Sequence, residues 1–174
     1  MVYASPTEPG PIRTLFSFPN PVNEVAARLV AAMVVILSLV IIATGVWWLM
    51  VVLVYGFLAR VLTGPTLSPT GLLATRGLVP LLGPPTRLVP GPPKRFAQTV
   101  GLVFSTTALV LYLALDSMTA SRIVLGVLTL FAALESGLGF CAGCFVFNQL
   151  MRWGLIPESV CRECLAASGV PVRS

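Results

Sequence analysis

Residues 29–59 read LVAAMVVILSLVIIATGVWWLMVVLVYGFLA, a run without one charged side chain. A helix that crosses a bilayer needs about 20 apolar residues, so this run is too long for one span and suits two short ones. Gly45 indicates a tight turn between them, and the indoles of Trp47 and Trp48 place that turn near the membrane surface. The run therefore predicts a helical hairpin, with helix one at about residues 25–42 and helix two at about residues 46–61.

The overall composition agrees with a membrane protein. Of the 174 residues, 56% are hydrophobic and 10% are charged, whereas soluble domains carry about 25% charged residues. The net charge of +5 comes from Lys and Arg that are spread over loops with no basic run, so the charge is not typical of a nucleic-acid-binding protein. Such residues fit contacts with lipid headgroups. The chain has no histidine, so any catalysis would have to come from cysteine, carboxylate or a bound cofactor.

Turn signals divide the chain into five segments, which predict an all-α membrane protein with four transmembrane helices in two hairpins plus a short C-terminal amphipathic helix. The sequence Ser68-Pro69 is a helix-start signal and predicts a short interfacial helix inside the Pro-rich loop. The fourth span is expected to begin near Arg122 and to run at least to Phe140. The segments are a polar N-terminal segment (residues 1–24), hairpin one (25–61), the Pro-rich cytoplasmic loop (62–95), hairpin two (96–153) and a Cys-containing cytoplasmic tail (154–174).

Lysine and arginine are distributed unevenly between the two ends of the predicted helices. All eleven except Arg122 lie before or at the start of helix one, between helices two and three, or after helix four. Cytoplasmic loops carry the excess of these residues, so both termini are expected on the cytoplasmic side of the inner (plasma) membrane. Residues 1–23 lack the early apolar core of a cleavable signal, so helix one is expected to act as an uncleaved anchor.

All four cysteines lie near the C-terminus as two C-x-x-C pairs, Cys141 with Cys144 and Cys161 with Cys164. Sixteen residues separate the pairs, a spacing compatible with a four-thiolate zinc site. Paired thiols also suit dithiol exchange, in which one thiolate attacks a disulfide and its neighbour resolves the mixed species. The plainest alternative is that small, apolar cysteines pack well in a membrane helix. The sequence thus predicts redox thiols at these four positions, with zinc ligation as the alternative.

Helical geometry weighs against zinc if the fourth helix is continuous. In a regular hairpin that folds back at Gly154, the two pairs lie roughly 9 Å out of register, whereas zinc–sulfur bonds are about 2.3 Å long. A break at Gly137 or Gly139 would instead place Cys141 at the start of a new helix, where thiols are activated. Cys141 would then be the nucleophile and Cys144 the resolving thiol.

Glu135 is the single acidic residue within a predicted span. A lone carboxylate in a membrane helix is a functional candidate that needs a partner, and Arg28, about one turn inside helix one, is the expected mate. Such a pair would fix helix one against helix four, or relay protons. It is also the sole support for a third hypothesis, a small transporter for a sulfur compound.

Several stretches resemble a bacterial membrane family known as domain of unknown function 4395. The most specific are FCAGCFVFNQL (residues 140–150), GLIPE (154–158) and CREC (161–164), and two upstream stretches are similar to its other recurring segments, PVNEVAAR (21–28) and GPPKRFAQ (91–98). The resemblance implies a small helical membrane protein associated with thioredoxin-like or sulfurtransferase partners. It adds support to the four cysteines and, more weakly, to Arg28, Arg95 and Glu135.

Two hypotheses from different classes follow. The first is a membrane thiol-disulfide or sulfur-relay component that works with a soluble thioredoxin-like protein. The second is a structural or assembly subunit whose four-cysteine tail is folded by zinc. Four short spans make a thin bundle, so a homo-oligomer or a larger membrane complex is expected in either case.

Overall fold

The computed structural model describes residues 20–64, 67–82, 88–157 and 160–161. These residues form seven α-helices, one π-helical segment and two short strands. Most of the predicted N-terminal segment, the predicted C-terminal amphipathic helix and Cys164 lie outside the described residues. The elements are β1 (Val22–Asn23), α1 (Glu24–Thr44), α2 (Trp47–Thr63), α3 (Pro69–Leu72), the π-helical segment (Leu73–Leu78), α4 (Val79–Leu82), β2 (Leu88–Val89), α5 (Gly91–Leu113), α6 (Met118–Leu138) and α7 (Ala142–Arg152).

Local capping sets both ends of the first long helix. The Asn23 side chain accepts hydrogen bonds from the backbone N–H groups of Val25 (2.9 Å) and Ala26 (3.4 Å), which have no partner inside the helix. At the other end Gly45 adopts a left-handed conformation with φ of 70° and donates its N–H to the Ile41 carbonyl. The turn predicted at this glycine is therefore where α1 ends and α2 follows.

Helices α1, α2, α5 and α6 pack as a four-helix bundle, in which α1 contacts α2 and α6, and α5 contacts α2 and α6. Two contacts show how closely the helices approach. The hydroxyl of Ser121 on α6 donates to the Ala108 carbonyl on α5 at 2.8 Å, and the ring of Phe57 on α2 lies against Gly101 on α5. The buried core consists of Val34, Ile41, Met50, Leu53, Phe57, Ala108, Leu125, Leu128 and Ala132.

Within the described residues, three helices are long and apolar enough to cross a membrane: α1, α5 and α6. The fourth member of the bundle, α2, is a shorter apolar helix of 17 residues. The outer faces of the bundle are apolar as well, as expected of a helical membrane protein. One side of α2 alone exposes Trp47, Trp48, Val51, Val52, Tyr55, Leu58 and Leu62.

The connector between α2 and α5 is helical from Pro69 to Leu82 and contacts α1. Its first turn has the expected cap, because the hydroxyl of Ser68 accepts the Gly71 N–H at 3.3 Å. A two-residue ladder then pairs β1 with β2, and the Asn20 side chain accepts the Gly91 N–H at 2.8 Å. These contacts hold the start of α5 next to the start of α1.

The structure corrects the predicted course of the fourth helix, which was expected to run at least to Phe140. Helix α6 ends at Leu138, because Gly139 takes a left-handed conformation with φ of 69° and its N–H bonds back to the Glu135 carbonyl. A separate helix, α7, begins at Ala142 and packs against α5. The break falls at one of the two glycines considered for it, and it places the first cysteine pair at a helix start.

Candidate functional site

Cys141 is the N-cap residue of α7. Its backbone is extended (φ −92°, ψ 101°), and its Sγ accepts the N–H of Cys144 at 3.3 Å. The first N–H groups of a helix lack intrahelical partners and carry the positive end of the helix dipole. A sulfur at this position is therefore held where negative charge is favoured.

Cys141 and Cys144 are joined in a disulfide, with their Cα atoms 5.2 Å apart. Cys161 is disulfide-bonded too, and no cysteine among the described residues has a free thiol. The Cys161 residue is buried, at 5% exposure, and packs with Phe147 and Met151 of α7. The structure thus brings the first predicted pair together at the start of α7 and sets Cys161 against the side of the same helix.

A cleft of about 410 Å³ opens beside the first pair. Two charged residues, Glu24 and Lys94, line it together with both cysteines. Its lining also includes two exposed aromatic rings, Phe140 and Phe145, whose centroids are 6.0 Å apart. The remaining lining residues are Val89, Pro90, Pro93, Gly139 and Asn148. The disulfide therefore faces a cleft with charged and aromatic walls.

Helix α7 lies close to α5 because Gly143, one of the two residues between the cysteines, has no side chain. A Cβ added at Gly143 would be 2.6 Å from both Cα and Cβ of Ala97, closer than real contacts allow. The ring of Phe147 packs against Phe96 one turn further along, with centroids 5.7 Å apart. Gly143 therefore sets the position of the cysteine pair relative to α5.

The Glu135 carboxylate is paired with Lys94, whose Nζ is 2.6 Å from Oε1. Both side chains are largely buried, at 7% exposure for Lys94 and 15% for Glu135. The predicted pairing of Glu135 with Arg28 is therefore wrong. It fails because α5 begins at Gly91, five residues earlier than expected, and so places Lys94 inside its first turns.

Arg28 instead caps the carboxyl end of α6. Its Nη2 donates to the Gly137 carbonyl at 2.7 Å, and its Nε donates to the Ser136 carbonyl at 3.2 Å. The last carbonyls of a helix have no intrahelical donors, and cations are favourable at this end of the dipole. Arg28 thus joins the start of α1 to the helix break that precedes Cys141.

Arg95, another of the more weakly supported candidates, donates from Nε to the Val61 carbonyl at 3.1 Å. This contact ties the start of α5 to the last turn of α2. Arg95 is exposed and does not line the cleft beside the disulfide. Arg95 therefore connects two helix ends and is not part of the candidate site.

Sequence reasoning missed two buried cations, Lys94 and Arg60. Arg60, in the last turn of α2, is only 4% exposed. The sequence predicts Arg60 at the edge of a span and Lys94 in the Pro-rich loop. Both residues border an apolar helix, and this position could have indicated a buried cation with a specific role, because a charged residue is costly to bury in a membrane protein without one.

Residues 22–152 match a family model described as a domain of unknown function (DUF4395). The chain belongs to this family. The DUF4395 match runs from β1 to the end of α7, so it includes Cys141, Cys144, Lys94 and Glu135, and it ends before Cys161. Searches of curated proteins and of solved structures found no match.

The DUF4395 region contains no group of three or more Cys, Asp or Glu placed to hold a metal ion, as far as the described residues extend. In the disulfide form, Cys141 and Cys144 are not thiolates and do not offer the charged sulfur that zinc prefers. The chemical groups at the start of α7 are therefore a disulfide that caps the helix, a cleft beside it, and the buried Lys94–Glu135 pair nearby.

Proposed function

We propose that the protein is a membrane thiol-disulfide or sulfur-relay component in which Cys141 is the nucleophile and Cys144 the resolving thiol. The observation that carries this proposal is the N-cap position of Cys141, whose sulfur accepts the Cys144 N–H. Cysteines in C-x-x-C motifs at helix N-termini are stabilised as thiolates, and the thiolate is the reactive species.

The exchange would proceed in two steps. The Cys141 thiolate of the reduced pair attacks a disulfide of a soluble thioredoxin-like protein, forms a mixed disulfide and releases one partner thiolate. The Cys144 thiolate then attacks Sγ of Cys141, which closes the intramolecular disulfide and releases the second partner thiolate. Two electrons pass from the cysteine pair to the partner, and the reverse sequence reduces the pair again.

Sulfur relay would use the same nucleophile. The Cys141 thiolate attacks the outer sulfur of a persulfide on a sulfurtransferase, takes up that sulfur atom and releases the donor thiolate. The cleft supports both variants, because both cysteines line it and leave open space beside them for a partner's sulfur group. The aromatic rings of Phe140 and Phe145 offer a contact surface for the partner.

For the membrane arrangement we propose four spans with both termini in the cytoplasm, in the inner (plasma) membrane of a bacterium. Helix α2 would be the fourth span, because 17 residues cover about 26 Å, at the lower limit for the hydrocarbon core. Arg122 lies beside Gly45 at one end of the bundle, whereas Arg28, Lys94 and Arg95 lie at the other. This distribution supports a cytoplasmic position for the cysteine end.

The alternative proposal is a structural or assembly subunit whose cysteines hold zinc in the reduced state. Two thiolates three residues apart can share one metal ion, and Cys161, packed on the same helix, would be a third ligand. Cys164, the fourth, lies outside the described residues. This proposal requires both disulfides to open, so it makes an opposite prediction for the reduced protein.

The decisive test uses the full chain purified in detergent, reduced, and then exposed to oxidised glutathione. We expect Cys144→Ser to accumulate a mixed disulfide with glutathione at Cys141, seen by mass spectrometry, and Cys141→Ser to form much less. Cys161→Ser is the matched control and should still close the Cys141–Cys144 disulfide. If Cys141 fails to react after reduction, or if the reduced protein holds about one zinc per chain that Cys161→Ser loses, the exchange model is wrong.

A further inference from the structure

A second cavity, open on one side, lies at the same end of the bundle and is lined by the starts of α1 and α5, the end of α2 and the connector helix. Its volume is about 250 Å³, below the range of about 300–1,000 Å³ that is typical of sites for drug-sized ligands. The cavity therefore suits a small group. It is lined by Pro21, Val22, Asn23, Ala26, Ala27, Val30, Arg60, Gly64, Gly71, Thr75, Lys94 and Gln98.

Arg60 is the dominant charge of this cavity and is incompletely satisfied. Its Nε donates to Oε1 of Gln98 at 3.0 Å, and its Nη1 donates to the Thr70 hydroxyl at 2.7 Å. The ring of Phe57 covers one face of the guanidinium, with Cζ 4.5 Å from the ring centroid. The remaining nitrogen, Nη2, is buried and has no hydrogen-bond acceptor among the described residues. An unpaired donor on a buried cation is costly to the folded state.

The charges at this end of the bundle do not cancel. Glu135 is in contact with Lys94, which leaves Arg60 without a carboxylate in contact among the described residues. A buried cation is normally paired, because removing an unpaired charge from water is unfavourable. Two cations line the cavity, Arg60 and Lys94, and the carboxylate of Glu135, paired with Lys94, also acts electrostatically on Arg60. Two positive charges and one negative charge leave a net charge of +1 beside the open volume.

A second donor beside Arg60 has a defined orientation. Arginine can only donate, so the Gln98 atom that faces Arg60 Nε must be the amide oxygen. Gln98 lines the same cavity, and its amide nitrogen is the candidate second donor there. A guanidinium and a neighbouring amide together match the oxygens of a carboxylate or phosphate group.

We propose that this cavity binds a small oxyanion of the phosphate or carboxylate type, held by Nη2 of Arg60 with help from Gln98. Either a free anion or the headgroup of an anionic lipid could supply that chemistry, since the cavity lies where a bundle end would meet the headgroups. The proposal does not depend on the chemistry of the cysteines. It explains why a guanidinium is buried here with one nitrogen unpaired.

The test is thermal unfolding of the full chain in a nonionic detergent, with inorganic phosphate titrated against chloride at equal ionic strength. A ligand that binds the native state raises the midpoint in a concentration-dependent way. We expect Arg60→Gln to weaken the apparent phosphate affinity by about tenfold or more, since one charge-assisted contact is lost. Arg76→Gln, the same charge change at an exposed residue of the connector, is the matched control and should bind as the wild type does.

A second arm distinguishes the two sources of the anion. Phosphatidylglycerol is added to the micelles, with phosphatidylcholine as the control, and bound lipid is counted by native mass spectrometry. Stabilisation by phosphate identifies a free oxyanion, and retention of phosphatidylglycerol alone identifies a headgroup. If Arg60→Gln is too unstable to measure, Arg60→Lys keeps the charge but loses the planar fork, and is expected to bind more weakly. The proposal is overturned if the wild type responds to neither ligand, or if Arg60→Gln and Arg76→Gln lose the response equally.

Discussion

Two glycines that lie two residues apart, at the end of α6, should respond oppositely to alanine. Gly139 has φ of 69° and ends α6, and a Cβ added there would lie 3.4 Å from Oε1 of Glu24 and 3.7 Å from Nη1 of Arg28. Gly137 is inside α6, and a Cβ added there would have nothing within 4 Å. The pair therefore isolates backbone conformation from the loss of a glycine as such.

The magnitudes follow from those surroundings. A side chain in the left-handed region costs about 1–2 kcal/mol, and contacts at 3.4 Å and beyond add little, so Gly139→Ala should destabilise by about that amount. Gly137→Ala relieves an unfavourable glycine in a helix and should stabilise by about 0.5–1 kcal/mol. The two variants should thus differ by about 1.5–3 kcal/mol in their free energy of unfolding.

The assay is equilibrium unfolding of the full chain in mixed micelles, followed by tryptophan fluorescence and circular dichroism. The same samples are tested for Cys141 reactivity, which should fall in Gly139→Ala because that cysteine depends on the break for its place at a helix start. Equal stability changes in the two variants, or a stabilised Gly139→Ala, would refute the argument. Helix α6 would then continue as one helix past residue 139.

Three further predictions use the same unfolding assay. Lys94→Met should lower the free energy of unfolding by about 3–5 kcal/mol, because it leaves the Glu135 carboxylate buried and unpaired. The double variant Lys94→Met with Glu135→Leu should lower it by less. Equal losses in the two variants would mean that the pair is solvated. Gly143→Ala should destabilise the protein by about 1–3 kcal/mol, because the added methyl group overlaps with α5. Its control is Gly126→Ala, which should be neutral or stabilising because nothing lies within 4 Å of the added Cβ. If Gly143→Ala does not destabilise the protein, the close packing of α5 and α7 is contradicted. Asn23→Ala should cost about 1 kcal/mol through loss of the α1 cap, and no change would show that the cap is replaced by water.

The helices were predictable because their signals are local. A long uncharged run with a glycine in the middle predicts a hairpin, and the bounds of α1 and α2 differ from expectation by only a few residues. The Ser68 cap and the helix after it follow from a two-residue signal in the same way. The end of α6 was harder to predict, because the sequence offers Gly137 and Gly139 equally as helix breaks. The break occurs at Gly139 because of the packing around it.

The charged contacts were not predictable from spacing. The sequence suggests Arg28 as the partner of Glu135 because both are expected near one membrane face, but Arg60, Lys94 and Arg95 lie at the same end and the sequence ranks none of the four. The choice of Lys94 depends on where α5 begins, and α5 begins early because Pro92 and Pro93 occupy its first turn instead of ending the loop. Proline breaks a helix in its interior but is favourable in its first turn. Because these prolines suggest a loop, the sequence predicts the start of α5 five residues too late.

The contacts around Gly139 form one junction rather than separate features. In a continuous helix the Cys144 N–H would bond to the carbonyl four residues before it, and no sulfur would stand at a helix start. The break frees that N–H for the Cys141 sulfur, but it also leaves the last carbonyls of α6 without donors. Arg28 supplies two of those donors from α1, so the end of one helix and the start of the next are stabilised together. The reactivity proposed for Cys141 should therefore depend on Arg28, a residue that contacts neither sulfur, because it stabilises the break that creates the cap.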